Sequence, residues 1–396
     1  MFFTPERTPL QEFLHPSSRL QYDAEFWKTV AKVAVAGAVL SAGTICCVRY
    51  LNSRYPGWYR LRGKKRGRLP PPRVGAPPLK QGEKGDAAQY VPLSTEKSHG
   101  ARVVQLAVYP IKSCKEILVE AFHCGELGPE LRTPFGTVHD RSWMVVTDKY
   151  HFLSQRRKPR MALIQPEIDG AFLVVNAPGM SPLRVPIQPD LSTAKVVTSD
   201  VWDHQISAVD CGDEAAEWFV TFLEEPGLRM VHHPHQFGGR GMLEMDQQVM
   251  KIDRELWEKK DKCTFADGAP YLLLSQESVS ELSRHTDTPV PWIHFRPNIL
   301  VGGCPPNNED YWWRFRIGSA EFRNAKPCCR CVETTVDPKT GTFARKDVLE
   351  TLKAYRTNQD PAVDDVLKFG PLFAINLGVD QTGPCSVGDV IIHLPD

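Results

Sequence analysis

The sequence predicts a β-rich α+β fold that is preceded by a single transmembrane helix and a proline-rich spacer. Three observations predict it. An uncharged apolar run lies near the amino terminus, a stretch rich in proline follows, and from Ala101 onward short alternating segments outnumber those with helical periodicity. With 396 residues, 42% of them hydrophobic and 24% charged, the chain has room for one large or two ordinary domains.

Charge and cysteine content narrow the class of protein. The formal net charge of +1 argues against a general nucleic-acid-binding protein, and no nucleic-acid partner is expected. The eleven cysteines are spread along the chain rather than packed into a small framework. This pattern is typical of a reducing compartment, in which thiols are free or bind metals.

Residues 27–50 are predicted to anchor the chain in a lipid bilayer, after an N-terminal tail of residues 1–26. The uncharged stretch Val33–Val48 reaches only about 24 Å as a helix, so flanking residues must complete the crossing of a hydrocarbon layer of roughly 30 Å. A cleaved secretory signal is the alternative, but Asp23 and Glu25 in the long preceding segment suit it poorly.

The flank after the anchor predicts the orientation of the chain. Residues 51–99 begin with a cluster of arginines and lysines and continue as a proline-rich linker. Because basic flanks stay on the cytosolic side, the folded part is expected to face the cytosol. A short anchor rich in Ala, Gly and Val with such a flank is similar to those of the mitochondrial outer membrane. The endoplasmic reticulum and the peroxisome are the alternatives.

The first half of the folded part is predicted to consist mainly of strands. Residues 102–110 alternate apolar and polar side chains, and residues 142–154 are expected to form a hairpin. Short strands are predicted at residues 170–179 and 193–199, and this spacing is typical of a β-barrel or sandwich.

A helix and a domain boundary follow these strands. The helix is predicted to begin at a cap formed by Asp213 and to end before Pro226 and Gly227. A boundary just beyond it would separate a domain of residues 100–228 from one of residues 229–396.

The second half is predicted to combine two helices with further strands. The helices are Gln276–Arg284, with Ser275 as its N-cap, and a segment from Lys346 to Arg356 with an apolar stripe. The strands are predicted around residues 293–301, 313–318, 331–336 and 387–393.

Residues 328–331, with the sequence CCRC, concentrate three cysteines around one arginine and leave several interpretations open. A disulfide is one. A zinc site would need a second ligand pair, for which the histidines of residues 232–235 are candidates. A redox pair of cysteines would be expected at the start of a helix, whereas residues 332–336 (VETTV), which follow the cysteines, favour a strand. A thiolate beside Arg330 that binds a soft metal is the fourth, because arginine lowers the pKa of a neighbouring thiol.

Polar residues beside predicted strands would suit an anionic organic cofactor that carries such a metal. Arginines and lysines pair with phosphate oxygens, and a carboxylate accepts from ring N–H groups. Arg296 and Asn298 would lie on one face if the chain between them is extended. The candidates are Lys112, Ser113, Arg141, Asp267, Gly268, Arg296 and Asn298.

Six segments together resemble the molybdenum cofactor sulfurase C-terminal (MOSC) superfamily with its N-terminal β-barrel domain. They are YPIKSC, DRSWMVV, LSQRRKPRMALI, FADGAPYLLLS, FRPNILV and CCRCVETTVDPKTG. The resemblance covers about residues 100–394 and implies a MOSC-type β-barrel domain after an N-terminal β-barrel domain. With its anchor and basic flank, the chain is similar to the mitochondrial amidoxime reducing components.

The resemblance also implies which residues hold a molybdenum cofactor, in which molybdopterin carries the metal. Cys331 is the implied metal ligand and, with Asp267, an implied catalytic residue. Relatives often have serine in place of Cys329 and threonine in place of Gly268. The implied cofactor-binding residues are Lys112, Ser113, Arg141, Asp267, Gly268, Arg296, Asn298, Cys329, Arg330 and Cys331.

The implied function is that of a molybdenum-containing oxidoreductase that reduces N-hydroxylated substrates such as amidoximes and hydroxylamines. The resemblance implies that electrons come from NADH through NADH-cytochrome b5 reductase and cytochrome b5. Because the sequence lacks a GxGxxG fingerprint and a CxxCH haem motif, the electron donors are expected to be external. One alternative is a molybdenum-cofactor carrier or sulfuration module, although no pyridoxal phosphate domain of the kind found in full sulfurases is expected here. Another is a membrane adaptor with an empty pocket.

Overall fold

The computed structural model describes residues 65–66, 69, 71–72, 74, 100–249, 254–360, 367 and 370–395. The chain divides into two compact units, Met1–Gly63 and Lys64–Asp396, and every element described below belongs to the second. The predicted anchor at residues 27–50 lies outside the described residues. None of the helices inside those ranges is long and apolar enough to cross a membrane.

An eight-stranded mixed sheet forms the largest element of the fold. The strand Arg102–Val108 is linked to the end of the chain by a bridge from Arg102 to Val390 and by a hydrogen bond from the Ile391 N–H to the Ala101 carbonyl (2.8 Å). The sheet therefore curls into a barrel-type structure. In spatial order, its strands are Ile391–His393, Arg314–Ile317, Ala320–Cys329, Leu372–Gln381, Tyr271–Ser275, Ile299–Gly302, Arg102–Val108 and Ile117–Val119.

Several smaller sheets accompany this barrel, and all of them are antiparallel except the pair formed by Lys65–Arg66 and Arg254–Glu255. One four-stranded sheet contains Gly383–Ser386, Ala121–Gly125, Gly128–Thr133 and Gly136–His139, and another contains Val196–Val201, His204–Asp210, Arg229–His232 and Trp143–Val146. The three-stranded sheet contains Leu183–Pro186, Phe172–Asn176 and Gln165–Asp169. Two-stranded pairs join Lys65–Arg66 to Arg254–Glu255 and Arg240–Gly241 to Lys262–Cys263.

Helices are few and mostly short in the part of the chain that the structure describes. The α-helices are Asp213–Leu223, Met242–Glu244, Gln276–Arg284 and Lys346–Tyr355, and a π-helix spans Met245–Val249. The 3-10 helices are Pro159–Leu163, His235–Phe237, Trp292–Phe295, Asn308–Tyr311 and Val332–Thr335. The predicted β-rich α+β class is confirmed, because strands with alternating burial carry most of the core.

The local predictions hold where the chain pattern is regular. The Ser275 hydroxyl accepts a hydrogen bond from the Ser278 N–H (3.1 Å), so this predicted cap is confirmed. The prediction that Asp213 caps its helix is wrong: Gly212 occupies the N-cap position, and Asp213 is the first helical residue. The domain boundary after residue 228 stays a prediction.

Two predicted strands in the second half are wrong or displaced. The segment predicted as a strand at residues 331–336 is the 3-10 helix Val332–Thr335. The segment at residues 293–301 begins as the 3-10 helix Trp292–Phe295 and becomes a strand only at Ile299. In both cases β-branched and aromatic residues favoured a strand, and tertiary contacts decided otherwise.

Candidate active site

Lys112 follows the strand Arg102–Val108 and is held against residues 265–267. Its ammonium group donates to the Phe265 carbonyl (2.9 Å) and forms a salt bridge with Asp267. Lys112 is only 4% exposed. Burial lowers the pKa of Lys112, and the charge of Asp267 opposes that effect. The lysine thus joins two segments that the sequence predicted to bind a cofactor.

Asp267 accepts hydrogen bonds from three side chains. Besides Lys112, Arg156 Nη1 donates to its Oδ2 (3.2 Å) and Trp202 Nε1 to its Oδ1 (3.0 Å). Burial raises the pKa of Asp267, but the charges of Lys112 and Arg156 outweigh this and hold it well below its usual range. Asp267 is therefore an ionised carboxylate, which can only accept hydrogen bonds.

A second buried network centres on Asp140 and Arg141. Arg141 forms a salt bridge with Asp140 and donates to Asn298 Oδ1 (3.3 Å) and to the Arg296 carbonyl (3.2 Å). Asp140, which is 1% exposed, also accepts from the Tyr109 N–H (2.8 Å) and from Asn298 Nδ2 (3.0 Å). This network brings Arg141 into contact with Arg296 and Asn298, which lie 155 and 157 positions further along the chain.

Three of the predicted site residues have a left-handed backbone. Their φ angles are 65° at Ser113, 47° at Arg141 and 55° at Arg296. Residues other than glycine in this region cost on the order of 1 kcal/mol each, and such strain is common at functional sites. The expectation that an extended chain puts Arg296 and Asn298 on one face is wrong. They meet at the site because Arg141 contacts both.

Tyr109 provides an aromatic surface for two arginines. The guanidinium carbons of Arg141 and Arg296 lie over its ring, 4.3 and 4.4 Å from the centroid. Its hydroxyl is buried and has no hydrogen-bond partner within the described part of the chain. Burial raises the pKa of Tyr109 far above its usual value, so the group is a neutral donor.

The cysteine loop follows the strand Ala320–Cys329. The buried Arg330 side chain donates to the carbonyls of Phe373 (2.8 Å) and Phe295 (3.1 Å). Cys331 has an extended backbone, with φ −128° and ψ −173°. Because side chains alternate along an extended chain, Arg330 and Cys331 point to opposite sides. Arg330 therefore fixes the loop through backbone carbonyls, and any contact it makes with a cofactor stays a prediction.

The guanidinium that contacts the Cys331 thiol is that of Arg156. Arg156 Nη1 lies 3.8 Å from Cys331 Sγ and 2.9 Å from Glu333 Oε2. Cys331 is exposed. Loss of solvation around the sulfur and the charge of Glu333 raise the pKa of the thiol, and Arg156 only partly offsets them. The expected lowering of this pKa by Arg330 is therefore wrong.

The site has more positive than negative side chains and leaves donors without partners. The charged residues are Lys112, Arg141, Arg156 and Arg296, set against Asp140, Asp267 and Glu333. Nη2 of Arg156 and Nη2 of Arg296 are buried and have no partner among the residues that the structure places. Buried donors without partners are costly, so an anionic group with several oxygens fits this arrangement.

Gly268, Ser113 and Cys329 are the remaining predicted site residues. A Cβ added at Gly268 would meet only Met245 Cε, at 3.9 Å, which leaves room for a ligand beside Asp267. The Ser113 carbonyl accepts from Gln155 Nε2 (2.8 Å). Cys329 is half-buried against a cluster of apolar side chains. The exposed thiol of Cys331 is thus the more accessible of the two thiols.

Of the histidines in residues 232–235, His232 and His233 are buried and His235 is exposed. His232 stacks on Trp143 with centroids 4.2 Å apart, and His235 stacks on His139 at 4.8 Å. Within the described ranges, no group of three or more His, Cys, Asp or Glu residues is arranged to hold a metal. These rings therefore have a packing role in the structure.

Acidification is expected to destabilise the fold through these buried rings. Burial lowers the pKa of His232 to about 3 and that of His139 to about 4, so both are neutral when folded. The unfolded chain takes up protons below its ordinary histidine pKa of about 6.5, so stability falls as the pH drops. His232→Phe should remove about 2 kcal/mol of the loss in unfolding free energy between pH 7 and pH 5. Urea unfolding at the two pH values measures this, and an unchanged pH dependence would contradict it.

Sequence reasoning missed several residues of the site as functional candidates. Arg156, Glu333, Trp202, Tyr109 and Asp140 contact the predicted residues directly. Arg156 lies in the segment LSQRRKPRMALI and Tyr109 in YPIKSC, two of the six segments that carried the resemblance. The sequence does not distinguish Arg156 from its basic neighbours Arg157, Lys158 and Arg160, because all four pair with acidic residues that are distant in the chain. Nothing in the sequence marks Trp202 either.

Two family models match the chain, and both agree with this architecture. The MOSC N-terminal beta barrel domain matches residues 100–226, and the MOSC domain matches residues 260–392. The fold and site thus define a protein that combines both MOSC domains.

Curated relatives then specify the family. The chain is 36% identical over 292 residues to mitochondrial amidoxime reducing component 2 of Bos taurus, which covers 74% of this chain and 83% of the bovine protein. It is 35% identical over 293 residues to mitochondrial amidoxime-reducing component 1 of Homo sapiens, covering 74% of this chain and 82% of the human protein. The chain belongs to the family of mitochondrial amidoxime reducing components.

Proposed function

We propose that the chain is a molybdenum-cofactor-dependent reductase of N-hydroxylated compounds such as amidoximes and hydroxylamines. The observation that carries the proposal is the exposed Cys331 thiol beside a positively charged cluster in which Arg296 keeps a buried donor without a partner among the described residues. A thiolate is a suitable ligand for a soft metal, and the cluster suits an anionic carrier of that metal. The names of the bovine and human relatives agree with this function.

The residues of the site divide into those that bind phosphate and those that bind the pterin ring. Arg141 and Arg296, held over Tyr109, can donate two hydrogen bonds each to phosphate oxygens. The ionised Asp267 accepts from ring N–H groups, with Gly268 leaving space beside it. Ser113, Asn298, Cys329 and Arg330 are the other residues proposed to contact the cofactor.

The net reaction is a two-electron reduction that breaks the N–O bond. An amidoxime takes up two electrons and two protons and gives an amidine and water. When bound through Cys331, the molybdenum cofactor supplies the two-electron chemistry. The electrons are proposed to come from NADH through NADH-cytochrome b5 reductase and cytochrome b5.

A carrier or sulfuration module for molybdenum cofactor is the second candidate function. It would use the same binding residues but would need no reducible substrate near Cys331. The exposure of Cys331 at the surface of the cluster favours the reductase, because a small substrate can approach the metal from solvent.

Cofactor content and turnover test the proposal together. The full-length chain, purified from a host that makes the cofactor, should contain molybdenum and pterin close to one per chain. With NADH, cytochrome b5 reductase and cytochrome b5, it should convert benzamidoxime to benzamidine. Molybdenum without turnover would favour the carrier, and a chain without molybdenum would contradict both functions.

The location of the chain is also proposed: an anchor at residues 27–50 in the mitochondrial outer membrane, with the folded part in the cytosol. A chain that begins at Lys64 keeps the strand Lys65–Arg66 paired with Arg254–Glu255 and keeps Leu69 in its apolar cluster. It should appear in the soluble fraction with turnover within about twofold of the full chain, because the compact unit is complete. Retention of this shortened chain in the membrane pellet would place the anchor elsewhere.

A further inference from the structure

An ion pair between Arg156 and Glu333 lies directly beside the proposed metal ligand. Arg156 Nη1 contacts both Glu333 Oε2 (2.9 Å) and Cys331 Sγ (3.8 Å). The two charged residues are 177 positions apart in the chain and come from a turn after the hairpin and from the 3-10 helix Val332–Thr335. Their side chains are 18% and 15% exposed, so both are largely buried.

Each residue of the pair keeps a polar atom without a strong partner. Arg156 Nη2 is buried and has no hydrogen-bond partner in the described part of the chain, so an acceptor oxygen that enters the site would satisfy it. Glu333 uses Oε2 for Arg156, while Oε1 has only a loose ionic contact with Arg296 Nε at 3.9 Å. A guanidinium donor next to a carboxylate acceptor is complementary to a group with an acceptor oxygen and a donor N–H on adjacent atoms.

We propose that Arg156 and Glu333 recognise the C(NH2)=N–OH group of an amidoxime. Arg156 donates to the oxygen of the N–O bond, and Glu333 accepts from the NH2 group. This inference rests on the proposed function, since it assumes that substrate is reduced next to Cys331. The pair would therefore bind N-hydroxylated amidines in preference to N–O compounds that lack an N–H group.

A purely structural role is the competing interpretation. Arg156 also bonds Asp267 (3.2 Å), and its guanidinium carbon lies 4.7 Å from the centroid of the Trp202 ring. These contacts would hold Arg156 in place even without Glu333. Removing the charge of Glu333 should therefore leave Arg156 positioned and alter chiefly what the pair can bind.

Binding of benzamidine, the product amidine, tests the role of Glu333 without any turnover. Glu333→Gln should weaken benzamidine binding to the full-length holoprotein, measured by calorimetry, by about tenfold or more, since a hydrogen bond to a charged group is lost. Glu225→Gln is the matched control, because Glu225 pairs with Arg157, the residue next to Arg156. Equal binding by wild type and Glu333→Gln would overturn the proposal.

A comparison of two substrates separates recognition from general damage. For benzamidoxime, Glu333→Gln should raise KM by about tenfold with little change in kcat. For a tertiary amine N-oxide, which has no N–H group, KM should stay within about twofold. Arg156→Gln should raise KM for both substrates. An equal effect of Glu333→Gln on both substrates would overturn the inference.

Molybdenum content distinguishes failure of this inference from failure of the proposed function. Glu333→Gln should retain the molybdenum content of the wild type, and its loss would assign Glu333 to cofactor binding instead. A wild-type chain that lacks molybdenum and turnover would contradict the proposed function, whatever the benzamidine measurements give. Normal molybdenum and turnover with no selectivity between the two substrates would contradict only the role of the pair.

Discussion

Replacing Cys331 with alanine is expected to strip molybdenum from the purified chain and to abolish amidoxime reduction. Cys331 is the exposed thiol of the loop and lies 3.8 Å from Arg156 within the charged cluster. Without the sulfur, the metal loses its only proposed protein ligand. Because the side chain is exposed, the free energy of unfolding of the cofactor-free chain should change by less than about 0.5 kcal/mol. Elemental analysis, turnover and urea unfolding measure the three quantities.

Cys329→Ser is the matched control for this prediction. Cys329 lies two residues before Cys331 but is half-buried against apolar side chains. The variant should keep most of its molybdenum and most of its turnover. If Cys329→Ser lost the metal while Cys331→Ala kept it, the ligand assignment would be reversed.

Replacing Arg141 with methionine is expected to lower the free energy of unfolding by about 3–5 kcal/mol, because it leaves a buried carboxylate without its counter-charge. The Asp140 side chain is 2% exposed and that of Arg141 is 12% exposed. Burial raises the pKa of Asp140, and the charge of Arg141 opposes this rise. The remaining donors to Asp140, the Tyr109 N–H and Asn298 Nδ2, are uncharged.

The double variant Asp140→Asn with Arg141→Met tests the electrostatic reason. Since the asparagine carries no charge, the double variant should recover part of the stability that Arg141→Met loses. Both variants should have reduced cofactor content, because Arg141 is absent from each. If the two substitutions lowered the free energy of unfolding additively, the broken ion pair would not be the cause of the loss in Arg141→Met.

Regular chain patterns determined much of the fold. Alternation of apolar residues predicted the strand Arg102–Val108, and the serine at position 275 predicted the start of the helix Gln276–Arg284. Both depend on neighbours a few residues away, which a sequence shows directly. The 3-10 helix Val332–Thr335 was predicted as a strand because its β-branched residues favour one, and its true conformation depends on distant packing.

The candidate site also has features that the sequence predicted and features that only the tertiary structure showed. The sequence alone singled out the cysteine loop at residues 328–331, and the resemblance implied that Cys331 is its metal ligand. Only the tertiary structure showed that Arg330 turns toward the carbonyls of Phe295 and Phe373. Likewise, the residue that meets the thiol is Arg156, 175 positions away in the chain.

The amino-acid sequence by itself determined the strand-rich architecture, the cysteine loop and the membership of the chain in a family that can be recognised from its segments. The tertiary structure decided which charges meet. Periodicity and capping act over a few residues and leave a local signature, whereas ion pairs form between side chains that only the folded chain brings within hydrogen-bonding distance. The contacts of Arg156 and Arg296 are of this long-range type.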